Sequence, residues 1–302
     1  MAIFEVLGDP VLPVYAIIFV GYLLGRRGTV SAEEARTLNR IALSLFLPLL
    51  LFGLIIEAPI RTFDPSPVVL YFAIEVIVFT LGLVLALKVF RLGPGESVLL
   101  AFGSIFSNTV LIVLPIAILL YGTGDILPIT AIVTLDSTIT FALAIIALQI
   151  MKLGRVTPLA VLSRVARSPI LIAIAAGLVV NLARLPMPHP FVTFIEFNGA
   201  AAPPLALLSL GVFLAQTKMT FEAPVLTFSA IKVVIFPLAV WLAVKGFAPG
   251  SIGADRFVLG AAAPAGTMAF SLGILYDVKT DRVTQVIIYT NILTMFSLAL
   301  LA

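Results

Sequence analysis

Long apolar segments, separated at regular intervals by charged and turn residues, are the feature of this sequence that most restricts its fold. A membrane-spanning helix needs about 20 predominantly apolar residues. The pattern predicts ten such segments, at 10–25, 38–56, 67–88, 97–121, 126–151, 158–182, 191–216, 222–245, 256–276 and 281–301. Only 11% of the residues are charged, against about 25% in an average soluble domain. We therefore predict an all-α polytopic membrane protein with ten transmembrane helices.

The sequence lacks the residue types that several chemistries require. It contains no cysteine, which excludes disulfides, cysteine-ligated zinc and thiol catalysis. It has a single histidine and neither a phosphate-binding nor a dinucleotide-binding glycine motif. We therefore expect no enzymatic activity, no cofactor, no resident metal and no nucleic-acid partner. Transport driven by ATP hydrolysis on this chain is equally unsupported.

Lysine and arginine are concentrated in the loops that follow the odd-numbered segments. Basic loops stay in the cytoplasm during membrane insertion, so this asymmetry indicates orientation. We expect a multi-pass protein of the cell (inner) membrane with both termini extracytoplasmic.

Two of the predicted spans carry a proline near their middle. Pro115 lies in the fourth span and Pro264 in the ninth, about half the chain apart. Proline removes a backbone donor, and an unpaired backbone group at membrane depth survives only where protein or a water-filled cavity covers it. A block of five spans that repeats must be inverted. We predict two inverted repeats, 1–151 and 152–302, whose broken spans 4 and 9 cross at Pro115 and Pro264, a pattern typical of secondary transporters.

Polar residues beside both prolines indicate a solute site. The predicted substrate-binding residues are Ser107, Asn108, Thr109 and Pro115 in the first repeat, and Pro264, Ala265, Gly266 and Thr267 in the second. The half-helix after each break directs free N–H groups and a positive dipole end toward the middle of the membrane, which suits a carboxylate. Alternatively, Pro115 only kinks a packed helix, since proline is fairly common in membrane helices.

Three ionisable residues, Glu75, Asp136 and Lys232, lie deep within predicted spans, where charge is costly. Asp136 stands in a polar patch and either holds a proton or a cation, or is a structural carboxyl satisfied by neighbouring hydroxyls. Glu75 and Lys232 occupy roughly corresponding places in spans 3 and 8, and could form a buried ion pair. Gln285 offers an amide in span 10 where Asp136 offers a carboxylate in span 5. We treat these four as coupling or support residues.

Four short motifs carry a resemblance to a known family. They are Leu47-Pro48-Leu49 in span 2, Asn108-Thr109 with Pro115 in span 4, Pro264-Ala-Gly266-Thr-Met-Ala-Phe270 in span 9, and Tyr276-Asp-Val278-Lys-Thr-Asp281 after it. Together they resemble the auxin efflux carrier family, which includes the plant PIN exporters and bacterial permeases for malonate, malate and similar acids. The short link between the halves is similar to that of prokaryotic members.

The resemblance implies an architecture and roles for several residues. Spans 1, 2, 6 and 7 would form a scaffold, often dimeric, and spans 3–5 and 8–10 a transport domain. The crossing would be formed by Pro115 and Pro264, with Asn108 beside the substrate carboxylate. Glu75 falls where plant members place a support-site aspartate, but Phe79 stands where they have a lysine. That support site must therefore differ here.

We therefore expect a homodimeric secondary transporter of a small organic carboxylate anion, working by an elevator-type sliding of the transport domain and coupled to protons or to sodium. Sodium-coupled bile-acid carriers share the architecture and are one alternative. A cation/proton exchanger of similar architecture is another alternative. Such an exchanger would need paired acidic residues at the crossing, and here the acidic candidates are scattered along the sequence. A non-transporting receptor would have little need for matched breaks.

Overall fold

The computed structural model describes residues 12–58, 60–153, 157–216, 221–251 and 253–301, which form helices joined by short connections. Within these ranges there is no β-strand, and one isolated antiparallel bridge is present. The chain termini, whose orientation the sequence predicts, and residues 154–156, which link the two predicted repeats, lie outside the described residues.

We number the helices in chain order. They are α1 (Leu12–Arg26), α2 (Ala32–Glu57), α3 (Ser66–Val89), α4 (Pro94–Gly103), α5 (Thr109–Tyr121), α6 (Leu127–Met151), α7 (Pro158–Ala166), α8 (Pro169–Ala183), α9 (His189–Gly199), α10 (Ala202–Gln216), α11 (Ala223–Phe247), α12 (Ala254–Ala261), α13 (Met268–Leu275) and α14 (Asp281–Leu301).

Several of these helices have the length and apolar composition of membrane spans. Helices α2, α3, α6 and α11, and the nearly continuous pair α9–α10, are long enough to cross a bilayer, and α1, α5 and α8 are shorter apolar helices. The prediction of an all-helical protein with several apolar spans is confirmed, whereas ten spans and two repeats stay predictions. The segment predicted at 158–182 is two helices, because Ser168, which precedes Pro169, is extended.

Prolines inside three helices follow widened π turns. The turns are Ala42–Phe46 before Pro48, Thr109–Val113 before Pro115, and Ile231–Ile235 before Pro237. A proline lacks the N–H that would close an α turn, and its ring clashes with the carbonyl four residues earlier. A π turn shifts the hydrogen-bonding ladder by one residue just there. Each helix therefore continues through its proline.

The break in the fourth predicted span consequently does not lie at Pro115. Helix α5 runs through this residue, and the chain is non-helical at 104–108, N-terminal to it. The prediction that Pro115 itself interrupts the span is wrong, because the π turn accommodates the missing donor. In the ninth span the chain is non-helical at 262–267, and Pro264 does lie inside that break.

The chain divides into two compact units, each assembled from separate stretches. The first unit takes the described residues of Met1–Phe63, Val110–Thr130 and Ala166–Lys218. The second takes those of Asp64–Thr109, Ala131–Val165 and Met219–Ala302. Both non-helical breaks therefore belong to the second unit.

Small residues let helices of the first unit approach one another closely. A Cβ atom added at Gly21 of α1 would collide with the carbonyl oxygen of Leu208, and one added at Gly211 of α10 would collide with that of Ile18. Only glycine permits this backbone contact. The Gly21 face of α1 is occupied by α10 of the same chain.

Ion pairs and aromatic contacts connect the helices of the second unit. Arg282, at the start of α14, donates to Glu96 of α4 at 2.7 Å and to Glu222, just before α11, at 2.6 Å. Tyr71 of α3 packs edge-to-face on Phe236 of α11, with ring centroids 5.5 Å apart. These contacts hold α3, α4, α11 and α14 around the two breaks.

Candidate functional site

The two breaks pair with each other as a short antiparallel bridge. Ser107 faces Ala265 across the bridge. The Asn108 N–H donates to the Pro264 carbonyl, and the Gly266 N–H donates to the Phe106 carbonyl, both at 2.8 Å. A buried backbone group without a partner costs free energy comparable to a lost hydrogen bond, so this mutual pairing stabilises both breaks. We call residues 104–108 and 262–267 the crossing.

Two further features hold the second break in place. The Ala265 N–H donates to the Thr290 hydroxyl of α14 at 3.0 Å, which leaves this buried backbone donor satisfied. A Cβ atom at Gly266 would lie 2.5 Å from a ring carbon of Phe106, so only glycine fits against that ring. The sequence singled out Gly266 for loosening the backbone, and the close approach is an additional reason for it.

The first break presents polar side chains that no protein group satisfies. Asn108 is 6% exposed and Thr109 is 1% exposed. The Asn108 Nδ2 and the Thr109 Oγ1 have no hydrogen-bond partner among the described residues. A buried polar group left in this state costs about 1–3 kcal/mol. These two side chains can therefore donate to a solute or to bound water.

The second break contributes mainly backbone. Pro264, Ala265 and Gly266 are buried, whereas Thr267 is half-buried. Pro115 lies within α5 and is half-buried, so it is not part of the paired segment. On α14, Asn291 is buried and its Oδ1 has no described partner.

Lys232 connects both breaks through one buried ammonium group. Its Nζ donates to the Ser107 hydroxyl at 2.6 Å and to the Ala261 carbonyl, at the end of α12, at 2.9 Å. It also lies 4.6 Å from the centroid of the Phe236 ring. The side chain is 0% exposed. Lys232 therefore fixes the first break to the helix that precedes the second one, an arrangement that its place in the sequence did not predict.

Glu75 and Asp136 lie next to each other, behind the crossing. They are 1% and 2% exposed. The Thr140 hydroxyl donates to Glu75 Oε2 at 2.7 Å, the two carboxyls lie within hydrogen-bonding distance of each other, and the Ser107 backbone N–H lies within hydrogen-bonding distance of Asp136. The interpretation that acidic candidates are scattered is wrong, because these two carboxyls are neighbours and Thr140 of α6 bonds Glu75 of α3.

The three ionisable residues form one electrostatic cluster. Lys232 interacts electrostatically with both carboxyls, although its hydrogen bonds go to Ser107 and Ala261. Two ionised carboxylates and one ammonium leave one uncompensated negative charge, which a buried site does not tolerate. One proton or one small cation would therefore make the cluster electrically neutral. Asp136 and Lys232 both lie in π turns, which often occur at functional positions.

Gln285 is a buried residue of α14. Its assignment as a coupling or support residue opposite Asp136 stays a prediction.

Known proteins with similar sequences are transporters. The chain is 26% identical over 296 residues to a Rhizobium meliloti protein named "Putative malonate transporter", covering 94% of this chain and 91% of that protein. It is also 26% identical over 296 residues to an "Uncharacterized transporter" of Methanothermobacter thermautotrophicus, covering 97% and 96%. An "Uncharacterized transporter" of Escherichia coli is 25% identical over 283 residues, covering 91% and 89%.

A family model described as "Membrane transport protein" matches residues 6–164 and again residues 155–302, which together span almost the whole chain. The two matches divide the chain close to the boundary between the predicted repeats. On this evidence the chain belongs to the membrane transport protein family of auxin efflux carriers.

Proposed function

We propose that this protein is a secondary transporter of a small organic anion carrying a carboxylate, and that the solute binds at the crossing. The observation that carries the proposal is the paired break with two unsatisfied side chains, the Asn108 amide and the Thr109 hydroxyl. Both can donate hydrogen bonds, as an anion requires. Helices α5 and α13 begin at the crossing, and their N-termini contribute free N–H groups and positive dipole ends.

The charge around the crossing favours an anion as the solute. Lys232 places an ammonium directly on Ser107, one residue from Asn108. Lys232 hydrogen-bonds a hydroxyl and a carbonyl, and when one of the two neighbouring carboxyls is protonated the cluster is neutral with its positive group at Ser107. The name of the Rhizobium meliloti relative supports a dicarboxylate such as malonate as the first compound to test.

Proton coupling through Glu75 and Asp136 is a second part of the proposal. These neighbouring buried carboxyls hold one more negative charge than Lys232 compensates, and a proton restores neutrality. Asp136 lies within hydrogen-bonding distance of the Ser107 backbone N–H, and Lys232 bonds the Ser107 hydroxyl and interacts electrostatically with both carboxyls. A change in their protonation would therefore alter the field at the anion site.

An elevator-type movement is the third part. The second unit would carry the crossing, and the first unit would act as the scaffold, with ten spans in two inverted repeats. Support comes from the composition of the units: the first contains α1, α2 and α8–α10, and the second contains both breaks. The first unit also contains Val110–Thr130, which the resemblance assigns to the transport domain. The close glycine packing of α1 on α10 is what a rigid scaffold requires. Dimerisation of the scaffold also remains a proposal.

A test of the anion site is to replace Asn108 by alanine in the full-length protein. We expect binding of malonate, or of the best ligand from a panel of carboxylates, to weaken about tenfold or more, because a buried hydrogen bond to a charged group contributes about 1.5–3 kcal/mol. Isothermal titration calorimetry on the purified protein measures the affinity. Asn198→Ala removes an amide from α9 that bonds only its own helix, and serves as the matched control.

Two results would count against the proposal. One is equal affinity of Asn108→Ala and the parent protein for every carboxylate that binds. The other is sodium or potassium exchange for protons in liposomes with no carboxylate transport. The adjacent carboxyls Glu75 and Asp136 keep the cation/proton exchanger as a second candidate, so both activities belong in the same assay.

A further inference from the structure

A cavity of about 290 Å³ lies between α3 and α6. Most of its lining is apolar, and it includes Phe72, Phe79, Phe102 and Ile150. Ile105 of the crossing forms part of its wall, but neither Asn108 nor Thr109 lines it. The two side chains proposed to bind the anion therefore lie outside this cavity.

The rim of the cavity consists of apolar side chains at the protein surface. Val76 is 42% exposed, Leu143 is 42% exposed and Ile150 is 54% exposed. All three belong to helices long and apolar enough to span a bilayer. Exposed apolar faces of such helices contact lipid hydrocarbon, so the cavity is open to molecules dissolved in the membrane core.

The wall of the cavity contains one acidic group. Glu75 and Thr140 are its polar lining residues. Thr140 donates to Glu75 Oε2, and Glu75 Oε1 receives no hydroxyl or N–H donor among the described residues, since its other neighbour, Asp136, is itself a carboxyl. The Lys232 ammonium donates its hydrogen bonds to Ser107 and Ala261. An unsatisfied acceptor thus adjoins an apolar chamber.

We propose that this cavity is a binding site for an apolar primary amine that enters from the lipid phase. The hydrocarbon part would fill the chamber, and the ammonium would donate to Glu75 Oε1. Charge complementarity selects this class of ligand: of the three ionisable residues, Glu75 lines the cavity and Lys232 does not, so an ionised Glu75 favours a cation there. A neutral hydrocarbon or lipid chain would leave the carboxyl unsatisfied.

Access to Glu75 from the lipid can be measured by covalent labelling. N,N′-dicyclohexylcarbodiimide partitions into bilayers and reacts with a protonated carboxyl. The carboxyl oxygen bonds to the carbodiimide carbon while the proton moves to a nitrogen. Transfer of the acyl group from oxygen to nitrogen then gives a stable N-acylurea without a leaving group. Peptide mass spectrometry locates the adduct on the full-length protein in liposomes.

We expect the reagent to modify Glu75, and n-octylamine to slow this labelling about tenfold, which corresponds to about 1.4 kcal/mol of protection. The matched neutral compound, n-octanol, should protect little. Glu75→Gln should abolish the adduct. Ala147→Phe, which fills the cavity without touching the carboxyl, should also suppress labelling, whereas Ala142→Phe on the same helix, outside the lining, should not.

Several outcomes would overturn the proposal. These are labelling of Asp136 in place of Glu75, equal protection by octanol and octylamine, and normal labelling of Ala147→Phe. If Ala147→Phe does not elute as a folded protein, the comparison of amine with alcohol on the parent protein still decides. Carboxylate binding by the same samples separates this result from the anion proposal, because Asn108→Ala should leave the labelling unchanged.

Discussion

Replacing Lys232 by methionine tests the electrostatic cluster most directly. Methionine keeps much of the side-chain volume but removes the ammonium, and it breaks hydrogen bonds of 2.6 Å to Ser107 and 2.9 Å to Ala261. It also leaves Glu75 and Asp136 buried without their only nearby cation among the described residues. Removing one partner of a buried charge arrangement costs about 3–5 kcal/mol. At about 2–4 °C per kcal/mol, the melting temperature should fall by about 6–20 °C.

The loss of stability should depend on pH, with a defined sign. Without the ammonium, the folded variant must neutralise its two buried carboxyls with protons, whereas in the unfolded chain these carboxyls ionise near their ordinary pKa of about 4. The folded variant therefore binds more protons than its unfolded state, and its free energy of unfolding falls as pH rises. The deficit relative to the parent should be largest at about pH 8 and should shrink toward about pH 5.

Thermal unfolding of the purified protein in detergent, followed across this pH range, measures both effects. Lys245→Met is the matched control, since Lys245 lies on the same helix and over an aromatic ring, but is exposed. Adding Glu75→Gln to Lys232→Met should restore part of the stability by removing one carboxylate. Equal melting temperatures for the two lysine variants, or a deficit that does not change with pH, would refute the reasoning.

Two further predictions concern packing and the crossing. Gly211→Ala should destabilise the protein by about 1–3 kcal/mol or more, because the added Cβ would collide with the backbone of Ile18. Gly246→Ala is the control and should be neutral or slightly stabilising, since the space around Gly246 is open. Thermal unfolding measures both effects. Thr290→Val should cost about 1–3 kcal/mol by leaving the buried Ala265 N–H without its acceptor, and should weaken carboxylate binding as the crossing loosens. Unchanged melting and affinity for Thr290→Val would contradict this role.

Sequence patterns predicted the helical membrane fold and the residue types at the site, but not the register of the crossing. Asn108 could be singled out because a polar residue is unusual in an apolar segment, and Pro264 because a proline removes a backbone donor there. Pro115 was singled out for the same reason, but it does not interrupt its helix. Whether a proline ends a helix depends on the backbone hydrogen bonds of the preceding turn. The π turn at Thr109–Val113 could not be predicted from the sequence.

Contacts made by backbone atoms could not be predicted from the sequence either. The Ala261 carbonyl that binds Lys232 carries no side-chain signal, and any residue offers the same oxygen. The adjacency of Glu75 and Asp136 depends on how α3 and α6 pack, which two apolar helices do not specify by composition. Burial of each ionisable residue was predictable one at a time, whereas their association required the tertiary structure.

Lys232 makes the proposed proton and anion sites thermodynamically inseparable. One ammonium touches Ser107 of the crossing and compensates Glu75 and Asp136. A proton added to the carboxyls strengthens the net positive field at Asn108, so it should raise the affinity for an anion. Linkage then requires that the anion raise the proton affinity by the same factor. Carboxylate binding should consequently take up protons from the buffer, and Lys232→Met should lose this uptake along with most of the binding.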